Sequence, residues 1–293
     1  MDNFIAIADL HLRDDVPRCR GESPDEWFNH QKERLEQIVN YANKQRLEIL
    51  IAGDIFHKPR PSHKLIGMFI GVMNKCWQAP YIMAGNHDLS YANADDTNTA
   101  YDIISKIFPP IDTQQHSRLV PYGKEAVELT DPRPYKPYVI CLHTLLFEKE
   151  KDVPFGVQHF ETAKSLATKY PYPCLVVGDM HRPFTSKQGD TFVVNCGSMT
   201  VQSINEAEYA HGFWEVSGCD SVAQFNEYTN DMIIVEDNYV ETAKERDNRI
   251  TAFVEKLKGQ ESITLDFKEN LLQVLTDNAI SSNVKSTVIG WIN

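Results

Sequence analysis

The chain has 293 residues, 42% of them hydrophobic, with 29 basic side chains against 41 acidic ones and a net charge of -12. That size and apolar content sustain one large or two modest domains with a full core. The acidity excludes a protein that coats nucleic acid without sequence preference, though not an enzyme that meets DNA at one metal-lined cleft, and no apolar run reaches the length of a membrane span or forms a signal peptide.

Residues 4–8 read as a short apolar strand that ends in Asp9-Leu10-His11. A polar loop over 12–22 carries Arg13, Arg18 and Arg20. The spacing then predicts a helix over 24–46, with Ser23 as N-cap, Pro24 in the first turn, Glu26 closing a capping box, and Trp27, Leu35, Ile38 and Val39 facing inward. Residues 48–52 (EILIA) form the next strand and end in Gly53-Asp54-Ile55-Phe56-His57. After the Lys58-Pro59-Arg60-Pro61 break, 62–77 reads as an apolar helix, with Trp27 and Trp77 both expected in the core. The strand 80–84 (PYIMA) opens into Gly85-Asn86-His87-Asp88.

A helix is expected over 97–108, stopped by Pro109-Pro110, and short strands and turns over 117–142. Residues 138–142 (YVICL) are a strand with His143 at its end. A helix over 158–170 precedes the strand 174–177, which runs into Gly178-Asp179-Met180-His181. Further strands are expected at 191–196 and 211–216, and the character of the chain changes near Ser217-Gly218. A boundary there leaves 1–217 as one domain. Residues 218–293 form a small second domain with a charged helix over 239–258, a strand over 262–267 and no metal-type cluster. Six cysteines at 19, 76, 141, 174, 196 and 219 include no C-x-x-C pair, so a zinc ribbon is not expected and a reducing, cytoplasmic setting is.

Five strand ends in succession carry candidate ligands: Asp9 and His11, Asp54, Asn86 and His87, His143, and Asp179 and His181. An Asp after a strand is ordinarily a turn or helix cap, and a lone His is ordinarily structural. The bland explanation must hold at five places independently. In open α/β folds, ligand sites form outside the carboxyl ends of strands. The i, i+2 spacing of Asp9 with His11, and of Asp179 with His181, places both side chains on one side of an extended backbone. Carboxylate, imidazole and amide together suit manganese, iron or zinc better than calcium. The donors are too many for one ion and about right for two that share a bridging carboxylate.

In sequence order, Asp9-x-His11, Gly53-Asp54-x-x-His57, Gly85-Asn86-His87-Asp88, His143 and Gly178-Asp179-x-His181 resemble the motifs of the calcineurin-like metallophosphoesterases. The resemblance implies an α/β fold of two packed mixed sheets flanked by helices, with a small C-terminal α+β cap. It implies one divalent ion held by Asp9, His11, Asp54 and His181 and a second by Asp54, Asn86, His143 and Asp179, with Asp54 bridging. Manganese is the expected ion, with iron, zinc and magnesium as alternatives. His87 is then the general acid, Asp88 orients its imidazole, and His57 contacts the phosphate or positions the substrate. The family usually has His where this chain has Asp179. Aspartate can still ligate there, or the second site is weak.

The finer resemblance is to the SbcD-type exonuclease subunits. It is carried by the Arg-containing loop after Asp9-x-His11, by 195–200 (NCGSMT), and by His211-Gly212-Phe213-Trp214. It implies DNA as substrate, an SMC-type ATPase as partner and no membrane, and a homodimer stays open. The alternatives are a phosphodiesterase or phosphatase for small nucleotides and a non-catalytic scaffold. Arg13, Arg18, Arg20, Arg182, Lys58 and Arg60 are candidate phosphate contacts.

Overall fold

The structure, a computed structural model, describes residues 3–90, 98–108, 117–120, 139–217 and 222–228. The chain divides into two units, Met1–Val235 and Glu236–Asn293. Every described residue lies in the first, so the elements expected after 238 fall outside the described residues.

Two five-stranded mixed sheets form the frame. The first has β1 (Asn3–Ile7), β2 (Glu48–Ala52) and β3 (Tyr81–Met83) parallel, extended antiparallel by β11 (Gly212–Ser217) and β12 (Val222–Glu227), in the order β12-β11-β1-β2-β3. The second has the order β4-β5-β8-β10-β9, from β4 (Ser117–Val120), β5 (Val139–His143), β8 (Cys174–Gly178), β10 (Thr191–Asn195) and the antiparallel edge β9 (Phe184–Gln188). A small parallel pair joins β6 (Leu146–Phe147) to β7 (Glu161–Thr162).

Period-two alternation sorts each strand between two cores. Phe4, Ala6 and Ala8 of the first strand, with Leu50, Ala52 and Met83, face Val139, Cys141, Cys174, Val176 and Val194 of the second sheet. Ile5, Ile7, Ile49, Ile51 and Ile82 face the other way, against α1 (Pro24–Gln45) and α2 (His63–Met73). On the far side of the second sheet Ile140, Leu142, Leu175, Val177 and Val193 pack on Leu166, Ala167 and Tyr170 of α4 (Ala163–Lys169) and its C-cap. Burial on both faces is why these strands read as continuous apolar runs.

The first helix starts as expected. Ser23 accepts from the Glu26 amide, Glu26 closes the box, and Pro24 sits in the first turn. It ends at Gln45, where Arg46 takes a left-handed cap at φ 57°. The second helix is shorter than predicted and stops at Asn74. Trp77 therefore lies beyond it and is 50% exposed, not in the core. Its indole Nε1 donates to the Leu47 carbonyl at 2.7 Å, so the ring braces the turn into β2. Residues 158–160 are not helical and 161–162 pair as a strand; the helix begins only after Thr162, whose hydroxyl accepts from the Ser165 amide. The β9–β10 hairpin was not expected, although Gln188-Gly189-Asp190 is a turn sequence and Gly189 has φ 61°. The boundary expected near 218 falls between β11 and β12, which pair along their length. A third helix, α3 (Ala100–Ile107), is capped by Thr99.

Candidate metal centre

All five predicted ligand clusters lie at the carboxyl ends of parallel strands, three from one sheet and two from the other, and they converge. Asp54 Oδ2 lies 3.5 Å from His11 Nε2 and 3.4 Å from His143 Nε2. His11 Nε2 and His181 Nε2 face each other at 3.0 Å. His143 Nε2 is 2.9 Å from Asn86 Oδ1 and 3.9 Å from Asp179 Oδ1. Donor atoms of Asp9, His11 and His181 lie within 4.8 Å of one another, as do those of Asp9, Asp54 and His143. Asp54 thus stands between two groups, one around His11 and His181 and one around His143. Asp179 is at the rim of the second group, with its side chain 23% exposed.

The backbone reaches this arrangement by a different route from the extended i, i+2 spacing expected. Asp9, His11, Asp54 and Asp179 take positive φ of 49°, 42°, 53° and 97°. Each is a left-handed residue, which costs about 1–2 kcal/mol outside glycine and is least costly for Asp, Asn and His. The turns are held in place by a zipper between strand-end loops: Asp9 N to Gly53 O at 3.1 Å, His11 N to Asp54 O at 3.0 Å, and His57 N to Leu12 O at 3.0 Å. Gly53 has φ 94°, and a Cβ there would collide with the His143 ring. A Cβ on Gly85 would collide with the Asp54 carboxylate. Both glycines exist so that backbone and ligand can touch.

The electrostatics are those of a crowded anionic centre. Asp9, Asp54 and His143 are buried. Burial pushes the Asp9 carboxyl up to about 7, against the pull of His143 and His181. Burial also opposes ionisation of Asp54, but its hydrogen bond to His143 and the charges of His143 and His11 hold it down at about 2. Burial opposes a charge on His143 and His181 too. The Asp54, Asp9 and Asp179 carboxylates nevertheless raise His143 to about 10, and Glu206, Asp9 and Asp54 raise His181 to about 9. In this arrangement protons supply the positive charge that the donors demand.

The donors fit metal ions. His143 Nδ1 donates to the Ala52 carbonyl at 2.7 Å, which turns its Nε2 lone pair toward Asn86 and Asp54. His181 Nδ1 donates to Glu206 Oε1 at 2.9 Å, which turns its Nε2 toward His11. His11 Nδ1 is buried without a hydrogen-bond partner. With His181 protonated, its Nε2–H donates to His11 Nε2, which leaves the His11 proton on a buried Nδ1 with no acceptor. A cation at the Nε2 atoms would take the place of the shared proton. The donors are nitrogen and oxygen only, since Cys141, Cys174 and Cys196 are packed between the sheets, and this set suits manganese, iron or zinc.

His87 stands beside the ligands. Its amide donates to Asp54 Oδ1 at 2.9 Å, its Nδ1 bonds the His57 carbonyl at 2.9 Å, and its ring meets His11 edge-on at 4.7 Å. His57 is half-buried and stacks on His87 at 5.3 Å. Burial and then the Arg13 charge lower its pKa to about 4, so the imidazole is neutral at ordinary pH. Asp88 is placed differently from expectation. Its carboxylate accepts the amides of Ile55 at 3.1 Å, Phe56 at 2.9 Å and Gly85 at 3.0 Å. Those bonds use it to tie the β2 and β3 loops together, and the His57 carbonyl, not Asp88, orients the His87 ring.

Two residues escaped the sequence reading. Glu206 backs His181, and Asn195 donates to the Met180 and Arg182 carbonyls at 2.7 Å each, fixing the loop that presents His181. Glu206 carries no sequence signal, being an acidic residue in a polar stretch. Asn195 lies in the 195–200 segment already singled out, which also bonds Ser198 N to His181 O and Met199 N to Asp9 O at 3.0 and 3.2 Å. Two of the candidate phosphate contacts are engaged within the protein. The Arg20 side chain is buried, bonds Glu22 through both Nε and a terminal nitrogen, and lies over Trp27; Arg13 pairs with Asp15.

The family model described as calcineurin-like phosphoesterase matches residues 3–193, a span that includes every predicted ligand. No curated protein matches the chain. Two solved structures similar to it are a conserved uncharacterised protein described as a predicted phosphoesterase, from Streptococcus pneumoniae, and a phosphopantetheinyl hydrolase from Mycobacterium tuberculosis. The first is 13% identical, covers 73% of this chain and 83% of its own, and has a TM-score of 0.33. The second is 16% identical, covers 68% and 90%, and has a TM-score of 0.39. Among the described residues no helix is long and apolar enough to cross a membrane.

Proposed function

This chain belongs to the calcineurin-like phosphoesterases, metal-dependent hydrolases of phosphoesters, and from that premise we propose that its substrate is a DNA phosphodiester, cut in the manner of the SbcD-type exonuclease subunits. The observation that carries the phosphodiester reading is the placement of His87 at the edge of the converging donors, its ring fixed through Nδ1 by the His57 carbonyl. A ring so held keeps Nδ1 as the donor to that carbonyl, so in the imidazolium form the Nε2 proton is the one free to pass to the departing alkoxide, the requirement of a poor leaving group.

The residues divide the work. Asp9, His11, Asp54 and His181 would hold one divalent ion, and Asp54, Asn86, His143 and Asp179 would hold the second. When bound, such ions polarise the phosphoester and lower the pKa of a water from about 15.7 toward about 7. Asp54 couples the halves of the site, because the carboxylate placed between His11 and His143 also anchors the His87 amide. His57, neutral and stacked on His87, offers a phosphate contact without adding charge.

The DNA assignment is supported by Arg18, exposed in the loop after Asp9-x-His11, and by the 195–200 segment closed over Asp9 and His181. On this reading the second unit, residues 236–293, supplies the docking surface for an SMC-type ATPase. One observation favours a second reading, hydrolysis of small nucleotide diesters: Arg20 is spent on Glu22 and Arg13 on Asp15, in a chain of net charge -12. The test is a manganese-supplemented assay on single- and double-stranded DNA beside cyclic nucleotides and a small synthetic diester, with His87→Ala as control. Degradation of DNA that His87→Ala abolishes upholds the proposal. Turnover confined to the small esters replaces it with the second reading.

A further inference from the structure

The two groups of donors present their imidazoles on different supports. His143 is backed by a neutral peptide, the Ala52 carbonyl at 2.7 Å from Nδ1. His181 is backed by a carboxylate, Glu206 Oε1 at 2.9 Å. We propose that Glu206 is a positioning residue for His181, fixing its tautomer and raising the basicity of its Nε2, and so strengthening ion binding at the His11–His181 side alone. This rests on the metal-dependent reading of the site.

The Glu206 carboxylate is built into place. Only 7% of the residue is exposed. Oε2 accepts the Gln202 amide at 2.9 Å, and Oε1 accepts the Ser203 hydroxyl at 2.9 Å besides the His181 ring. The main chain is equally constrained: Ile204–Glu206 is a short 3-10 turn, the Tyr209 amide bonds Glu206 O at 2.9 Å, and His211 Nε2 bonds the same carbonyl at 3.2 Å. A carboxylate with both oxygens engaged cannot swing away from the imidazole. Nδ1 therefore stays the donor to Glu206, and Nε2 stays directed at His11, 3.0 Å away, as the nitrogen that gives up its proton when an ion binds. An anion behind a ligating imidazole raises its donor strength, and loss of such a partner ordinarily costs about 10–100-fold in metal affinity.

The buried acid also bears on the charge of the site. Asp9, Asp54 and Asp179 together cannot neutralise two divalent ions, and Glu206 adds a fourth carboxylate next to one of them. No part of that benefit reaches His143, which lies at the end of a different strand with its own backbone partner.

The test is calorimetric titration of manganese into protein freed of metal by a chelator, for the wild type, Glu206→Gln and Glu206→Ala. Gln keeps an oxygen to accept from Nδ1 but lacks the charge, and it is close enough in shape to preserve the fold if the alanine variant does not. The expected result is two binding events in the wild type. One of them is weakened about 10–100-fold in Glu206→Ala and by a smaller factor in Glu206→Gln, with the other unchanged. A merely structural loss would weaken both events together and would overturn the proposal, as would wild-type affinities in both variants. A wild type that binds no manganese would remove the metal site itself, a failure distinct from two events that ignore Glu206.

Discussion

The strand interiors and the strand ends of this molecule obey opposite rules. Between Phe4 and Ala8, and again between Ile49 and Ala52, the side chains are apolar and buried, sorted to one core or the other by period two. One or two residues further on, Asp9 and Asp54 are as deeply buried as any leucine, and both have positive φ. Burying a carboxylate without compensation is costly, and a left-handed Asp adds about 1 kcal/mol of strain. The interiors supply the stability that the ends consume. This is the pattern expected where strain and charge are concentrated at a working site.

If that contrast is right, changes at the ends cost function and changes in the interior cost stability. The largest effect expected is on turnover. His87→Ala removes the proposed acid and should lower kcat by about 10²–10⁴-fold, while manganese binding by calorimetry and the melting temperature stay near wild type. In the interior, Leu50→Ala empties a site between the sheets where no part of the residue is exposed. It should cost about 2–5 kcal/mol in urea unfolding and leave manganese binding near wild type. Gly85→Ala sharpens the contrast because it belongs to both regions. The new methyl collides with the Asp54 carboxylate, so it should cost about 1–3 kcal/mol and also abolish one or both manganese binding events.

The smallest effect expected is in pH dependence. In metal-free protein His143 and His181 titrate at about 10 and about 9, raised from 6.5 despite burial by the surrounding carboxylates. A basic group raised on folding lends stability that is complete below its unfolded pKa and is lost as pH rises through the folded one. The melting temperature of chelator-treated protein should therefore fall between pH 7 and 10. Saturating manganese should flatten the fall, since the ions then replace the protons. An unchanged slope with manganese would place those imidazoles outside the ion site.

What could be read from the sequence divides along the same line. The buried strands announce themselves because both faces are apolar, and the first helix because Ser23, Pro24 and Glu26 are local signals acting within one turn. The convergence of the candidate donors is legible because five strand ends repeat one chemistry. The apolar period carries the expected second helix through Trp77, while the chain leaves the helix at Asn74 to set the indole on Leu47. The start of α4 lies five residues after the expected one, where Thr162 and Ser165 carry the capping signal. Adjacency in the chain points Asp88 at His87, whereas two of its three partners, Ile55 and Phe56, lie more than thirty positions away. Glu206 reaches His181 across 25 positions with no motif between them. Contacts set by loop closure between distant segments leave no periodic trace.

The central claim is that distant residues gather two divalent ions around Asp54. Anomalous diffraction at the manganese edge from crystals grown with manganese tests it most directly. The account predicts two peaks flanking the Asp54 carboxylate, one against His11 and His181 and the other against His143 and Asn86. A single peak that does not touch Asp54, or none in this cluster, would contradict it.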